Sequence, residues 1–195
     1  MADFKEFDTS TFDQKLAPVY ETLRRVKKSL APEKTLIGFA GAPWTVACYM
    51  VQGYGDGAFD AAKTFAFRKP AEFGVLIEAL VTATSRYLIE QINNGADTVQ
   101  IFDSWAGLLP APYFERWVIA PTQKIVRNIA RACPGAPVIG FPRQAGAFYK
   151  NYAENTGVQG MGIDQYFPLQ DALHICGSAV TLQGNLDPVL LLTGG

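Results

Sequence analysis

Apolar residues recur along the chain at two different spacings, which predict helices and strands in alternation. Between residues 12 and 30 they recur every three or four positions, which is the period of one helix face. The same period begins again at Pro70 and continues to Gly95, which predicts a longer helix. Short apolar runs predict β-strands at about residues 35–39, 98–102, 138–141, 160–164 and 179–182.

Further helical patterns occupy the intervals between the later strands. They lie at about residues 121–132, 146–155 and 168–175. Another helical pattern, which carries Tyr49, follows the Gly-Ala-Pro turn after the first strand. This alternation favours an α/β fold in which parallel strands are connected by helices. We interpret residues 1–195 as a single domain, with the polar residues 1–10 disordered.

Two short segments receive a more specific interpretation. Residues 36–39 are apolar or glycine throughout, so this first strand is predicted to be buried on both faces. Residues 53–57 read GYGDG, which resembles a dinucleotide-binding fingerprint but lacks its final spaced glycine and the strand before it. We therefore predict a flexible loop at 53–57.

Composition narrows the function classes. The 195 residues carry 17 Lys and Arg against 18 Asp and Glu, so overall charge gives no argument for nucleic acid. The basic residues at 24–28 are interpreted as the solvated side of the first helix. No apolar run approaches the roughly 20 residues of a membrane span, and residues 1–15 are polar, so neither membrane association nor secretion is predicted. Three distant cysteines without a C-x-x-C pair favour a reduced, cytoplasmic setting.

Polar or small residues follow each predicted strand. They include the Asp103-Ser104 pair, Arg143, Asp164 and Asp187. In a parallel barrel these positions converge on one face, where active sites are built. Asp164 and Asp187 have a second interpretation as helix caps, with Pro188 in the first helical position after Asp187. The number of polar strand ends favours a site.

Two other features of the sequence are weaker evidence for a chemical function than the polar strand ends. His174 and Cys176 have the spacing of part of a zinc site, but no third ligand is evident and the pair precedes a strand instead of following one. An ordinary helix end is the other interpretation. The chain has one histidine, so the commonest general base is absent elsewhere and no Ser-His-Asp or Cys-His arrangement can be assembled.

Three motifs resemble the uroporphyrinogen decarboxylase family. They are LIGFAGAPWT at 36–45 with the tyrosine at 49, FDSWAG at 102–107, and TLQGNLDP at 181–188. Their order also matches, and the similarity extends over about residues 12–192. The resemblance implies a (β/α)8 TIM barrel in a cytosolic homodimer that uses no cofactor or metal. It also implies decarboxylation of the four acetate groups of uroporphyrinogen III to give coproporphyrinogen III.

The resemblance assigns roles to three side chains. Tyr49 matches the family's active-site tyrosine, Ser104 matches its substrate-binding serine, and Phe39 matches an aromatic residue that lines the cleft. Arg143 belongs to the loop after the third strand, where it is available for one substrate carboxylate. A phenol and a hydroxyl can orient carboxylates, so we expect the proton donor to lie outside this chain.

Several family features have no counterpart in the sequence. They are the N-terminal arginine-rich loop, the aspartate that gathers the pyrrole N–H groups, and the late Gly-His-Gly strand end. Five strands are predicted instead of eight, and the leucines at 190–192 suggest truncation. We therefore expect an incomplete barrel that is inactive by itself. The alternatives are a zinc-dependent corrinoid-type methyltransferase of the same barrel superfamily, or a non-enzymatic dimerisation partner.

Overall fold

A computed structural model describes residues 9–55 and 57–194. The predicted disorder of residues 1–8 therefore lies outside the described residues, whereas Thr9 and Ser10 are helical, contrary to prediction. The helices are α1 Thr9–Ser29, α2 Pro43–Gln52, α3 Asp60–Arg68, α4 Pro70–Asn93, α5 Ala111–Phe114, α6 Ala120–Ala132, α7 Tyr149–Thr156, α8 Leu169–Cys176 and α9 Pro188–Thr193. The strands are β1 Ile37–Gly41, β2 Thr98–Asp103, β3 Val138–Pro142, β4 Gly160–Gly162 and β5 Thr181–Gln183.

The five strands form one parallel sheet in the order β1-β2-β3-β4-β5. Helices α4 and α6 pack against each other, and α4 also contacts β1 and β2. This confirms the predicted α/β class with helical crossovers. Among the described residues β1 and β5 do not pair with each other, so the sheet is open and corresponds to an incomplete barrel.

Every predicted strand and each helix predicted from periodicity is present, but two helical segments were missed. One is α3, which buries only Ala62 and Ala66 and so gives a weak apolar period. The other lies between β2 and α6, where α5 is followed by a π-helical turn at Glu115–Ile119 that continues directly into α6. The changed period of a π-helical turn interrupts the 3.6-residue repeat on which the prediction depended.

The prediction that β1 is buried on both faces is wrong. Ile37 is 39% exposed and Phe39 is 62% exposed, whereas Gly38 and Ala40 between them are buried. The described helices cover the outer face of the sheet, and alternate residues of β1 point to the opposite, inner side. The Gln91 side-chain amide accepts from the Phe39 N–H (2.8 Å) and donates to its carbonyl (2.9 Å), which fixes this backbone.

The main core lies between the outer face of the sheet and the helices. Phe73 of α4 packs between Trp44 and Trp117, with ring centroids 5.8 and 5.0 Å away. Behind β3, the buried ring of Tyr152 lies directly over Gly140, in the space that a β-carbon would occupy. No helix in the described ranges is long and apolar enough to cross a membrane.

Gly140→Ala should destabilise the chain by about 1–3 kcal/mol, because the added methyl group meets the Tyr152 side chain in a close-packed core. Urea unfolding followed by circular dichroism measures the change. Gly74→Ala is the matched control, since its β-carbon would meet only Trp117 at an ordinary 3.9 Å and alanine favours helix. Equal stability of Gly140→Ala and the wild type would contradict this packing arrangement.

Candidate functional site

Three loops meet at the carboxyl edge of the sheet, after β1, β2 and β3. Backbone hydrogen bonds join them: Ala42 N–H donates to the Phe102 carbonyl at 2.8 Å, and Arg143 N–H donates to the Asp103 carbonyl at 3.1 Å. Gly107 N–H in turn donates to the Arg143 carbonyl at 3.1 Å. Because parallel strands end together, these loops form one connected surface.

Asp103 is the buried polar residue of this surface, with only 1% of its area exposed. The Thr45 hydroxyl donates to its Oδ1 at 2.6 Å, and no described residue is hydrogen-bonded to its Oδ2. Burial raises the pKa of Asp103 to about 7, and the hydrogen bonds from Thr45 oppose that rise only in part. Asp103 thus titrates near neutral pH, far above an ordinary aspartate.

Ser104 follows Asp103 at the turn into the loop and is partly buried. Its neighbour Trp105 is held through both backbone polar groups. The Trp105 N–H donates to the Thr45 hydroxyl at 3.2 Å, and the Trp105 carbonyl accepts from the Trp44 indole N–H at 2.9 Å. The Ser104 turn is therefore attached to the first turn of α2.

Tyr49 lies in the last turn of α2 and is 45% exposed. Its ring packs edge-on against Phe59 and Trp105, with centroid separations of 5.3 and 6.3 Å. The Trp105 ring thus connects the predicted tyrosine to the loop that carries Ser104. The Gly-rich segment before Phe59 is a loop, as predicted, although Asp56 lies outside the described residues.

Phe39 belongs to a row of aromatic rings on the inner face of the sheet. Its ring meets Phe102 at 6.0 Å, and Phe102 meets Phe141 at 5.8 Å, both in edge-to-face geometry. The Phe141 ring extends over Gly162 of β4, where a β-carbon would clash. An apolar wall consequently spans β1 to β4, beside the carboxyl-edge loops.

Arg143 is partly buried, and its backbone joins the β2 and β3 loops as described above. Among the described residues its guanidinium has no hydrogen-bond or ion-pair partner, so its charge is available for an anion. The structure therefore brings Ser104 and Arg143 to connected loops, with Tyr49 in the last turn of α2 against the Trp105 ring and Phe39 on the adjoining wall. Their roles in binding and catalysis stay predictions.

The two aspartates with alternative interpretations differ from each other. Asp187 is a helix cap, since its carboxylate accepts from Val189 N–H at 2.7 Å at the start of α9. Asp164 is not the cap of α8, because it accepts from the Tyr149 hydroxyl at 2.6 Å and from Tyr166 N–H at 2.9 Å. It joins the loop after β4 to the helix before that strand.

His174 and Cys176 lie in the last turn of α8, where the histidine is exposed and the cysteine is buried. Burial raises the pKa of the Cys176 thiol, which disfavours the thiolate that zinc binds. The part of the chain that the structure describes contains no group of three or more histidine, cysteine, aspartate or glutamate residues that could hold a metal ion. The residues present do not fit a zinc centre.

Sequence reasoning recognised Asp103 as a polar strand end but did not include it among the site residues. Trp105 and Phe102 were also not singled out, although they lie in the FDSWAG motif. The sequence signal was a carboxylate placed directly after the predicted strand at 98–102. In the structure the first four residues of this strand are buried and Phe102 is partly buried. A buried carboxylate in that position requires a partner, and Thr45 is 58 positions away along the chain.

The fold and the site define an α/β protein of the TIM-barrel type, with its polar groups at the carboxyl ends of parallel strands. Comparison with known proteins is more specific. The uroporphyrinogen decarboxylase family matches residues 1–195, and the chain belongs to this family.

Curated relatives named uroporphyrinogen decarboxylase match all or nearly all of the chain. The protein of Rhodospirillum rubrum is 45% identical over 194 residues, covering 100% of this chain and 56% of the relative. That of Sphingopyxis alaskensis is 50% identical over 182 residues, covering 93% of this chain and 53% of the relative. The chain thus spans about half the length of the curated relatives it matches.

A solved structure confirms the fold alone. A methyltransferase from Methanosarcina mazei superposes with a TM-score of 0.72 at 17% sequence identity, over 88% of this chain and 49% of that one. At this identity the likeness says nothing about the reaction.

Asp103→Asn should remove most of the loss of folding stability that the wild type shows as the pH rises. Because the folded-state pKa of Asp103 is raised to about 7, the wild type is most stable while this group is protonated in both states. That stability falls as the pH rises from about 4 through about 7, by on the order of 1–3 kcal/mol. Urea unfolding at about pH 5 and about pH 8 should show the fall in the wild type and a much smaller one in Asp103→Asn.

Asp60→Asn provides the control, since this aspartate is exposed and forms an ion pair with Lys63. It should keep the wild-type dependence on pH. Parallel pH profiles for the wild type and Asp103→Asn would contradict the titration of a buried Asp103.

Proposed function

We propose that this chain forms part of the active site of a uroporphyrinogen decarboxylase. The reaction converts uroporphyrinogen III to coproporphyrinogen III by removing carbon dioxide from four acetate side chains. The observation that carries the proposal is the junction of the β2 and β3 loops, which holds Ser104 and Arg143 beside the aromatic wall of Phe39, Phe102 and Phe141. A flexible macrocycle that carries apolar pyrrole rings and many carboxylates requires both an apolar face and anion-binding groups.

The chemistry assigns different tasks to these groups. Protonation of a pyrrole ring carbon lets the ring accept the electron pair when the acetate C–C bond breaks and carbon dioxide leaves. The reaction so written needs neither a metal nor pyridoxal as an electron sink. The protein must hold an anionic substrate and stabilise a cationic pyrrole intermediate.

Arg143 would pair with one substrate carboxylate, because its guanidinium is free among the described residues and its fork of N–H donors matches the two oxygens of a carboxylate. Ser104 and Tyr49 would donate hydrogen bonds that orient the acetate group. The Phe39 ring, which is largely exposed, would pack against the macrocycle. None of these groups is an acid suited to protonating a pyrrole carbon, so we assign the proton donor to a group outside this chain.

We further propose that the complete protein is a cytoplasmic homodimer, as the family resemblance implies. The described chain should bind the porphyrin without turnover, since the family's arginine-rich loop, its aspartate and its Gly-His-Gly segment have no counterpart in this sequence. Formation of coproporphyrinogen by the purified 195-residue chain would contradict this part of the proposal.

Arg143→Gln should weaken binding of uroporphyrin, the stable oxidised form of the substrate, by about tenfold, because a charge-assisted hydrogen bond contributes about 1.5–3 kcal/mol. Quenching of tryptophan fluorescence by the added porphyrin measures the affinity. Arg127→Gln is the matched control, since Arg127 is an exposed arginine on α6. Equal weakening by both substitutions would show general charge attraction and remove Arg143 from the site.

Tyr49→Phe tests the predicted phenol. It removes one oxygen from a half-exposed side chain while its ring contacts with Phe59 and Trp105 are kept, so folding should be unchanged. The affinity for uroporphyrin should fall by about threefold to tenfold, the value of one hydrogen bond. Tyr54→Phe, in the exposed loop, should bind as the wild type does. An unchanged affinity of Tyr49→Phe would leave Tyr49 as a packing residue.

A further inference from the structure

The loop that carries Ser104 is joined to α2 by side chains as well as by the sheet. Both backbone polar groups of Trp105 are bound by consecutive residues of the first turn of α2: the N–H by Thr45 and the carbonyl by Trp44. The same Thr45 hydroxyl donates to Asp103. The residues on either side of Ser104 are therefore held by one hydroxyl group.

We propose that Thr45 and Asp103 are positioning residues that fix the Ser104 turn for substrate binding, an inference that rests on the function proposed above. Neither residue contacts substrate, because Thr45 is buried and Asp103 is buried on the outer face of β2, away from the aromatic wall. They act through the backbone of the turn.

The direction of the hydrogen bonds explains why both residues are needed. A threonine hydroxyl has one proton to donate and lone pairs that accept. Asp103 Oδ1 accepts the hydrogen bond from the Thr45 hydroxyl at 2.6 Å, which orients the hydroxyl so that a lone pair faces the Trp105 N–H at 3.2 Å. Without the Asp103 acceptor, the hydroxyl could rotate and compete for other partners.

The hydrogen bonds that hold the Ser104 turn differ from those that hold Arg143. Arg143 is held by backbone hydrogen bonds from its N–H to the Asp103 carbonyl and from the Gly107 N–H to its own carbonyl, both at 3.1 Å, and neither involves the Thr45 hydroxyl. Loss of that hydroxyl should therefore displace the Ser104 turn and leave the Arg143 loop in place. This distinction makes the positioning role separable from a general effect on folding.

Thr45→Val and Thr45→Ser form the matched pair that tests the role. Valine keeps the branched shape but lacks the hydroxyl, whereas serine keeps the hydroxyl and lacks the methyl group. With uroporphyrin as the probe, Thr45→Val should weaken affinity by about fivefold to tenfold and Thr45→Ser by less than about twofold. Circular dichroism and urea unfolding establish that both variants are folded.

A double-mutant cycle then locates the effect. In a Ser104→Ala background, Thr45→Val should have almost no further effect on affinity, because the group it positions is gone. In an Arg143→Gln background it should keep its full fivefold to tenfold effect, to within about a factor of two. Additive effects in both backgrounds would overturn the positioning role and leave Thr45 as a structural residue.

Amide hydrogen exchange gives a readout that needs no ligand. The Trp105 N–H should exchange at least about tenfold faster in Thr45→Val than in the wild type, and at the wild-type rate in Thr45→Ser. Failure of the wild-type chain to bind uroporphyrin would contradict the proposed function, while the Trp105 exchange rates would still decide whether Thr45 holds the turn. Wild-type exchange in Thr45→Val would contradict the positioning role.

Discussion

The loops at the C-terminal ends of the strands depend on the hydrogen bonds that the buried residue Asp103 accepts. Its side chain accepts a hydrogen bond from the Thr45 hydroxyl and its backbone carbonyl accepts one from the Arg143 N–H, so one residue connects three loops. Placing a carboxyl group at 1% exposure disfavours its charged form, and the hydrogen bonds from Thr45 do not fully offset that penalty. Asp103 therefore holds the three loops together although burial raises the pKa of its carboxyl group to about 7.

The open inner face is the second determinant of the site. The helices bury the outer face of the sheet, and Phe39, Phe102 and Phe141 form a row of rings on the inner face. Phe39 stays exposed, yet the Gln91 amide fixes its backbone from the outer side. An exposed ring on a fixed backbone is a preorganised contact surface, which reduces the entropy that binding must overcome.

Much of the fold could be predicted because its signals are local. The β2 strand is β-branched and follows Gly95, and α4 carries a long apolar period that begins at Pro70, so both were placed correctly. Helix α3 was missed because it packs through two alanines. The burial of β1 was predicted wrongly because exposure of Phe39 depends on what covers the inner face, and a local apolar run does not contain that information.

Only the candidate site residues that directly follow a strand could be predicted from the sequence pattern. The pattern placed Ser104 and Arg143 on the correct edge, but the bond between Thr45 and Asp103 joins residues 58 positions apart and leaves no local signal. The following proline indicated the capping role of Asp187. The Tyr149 hydroxyl that donates to Asp164 lies on the preceding helix, so that contact could not be predicted from the residues next to Asp164.

A crystal structure of this chain with uroporphyrin III tests the central claim most directly. We predict that the macrocycle lies against the Phe39 ring on the inner face, with one carboxylate paired to Arg143 and the Ser104 hydroxyl within hydrogen-bond distance. A porphyrin bound on the helical face, or on the inner face without contact to the Ser104 and Arg143 loops, would contradict the account.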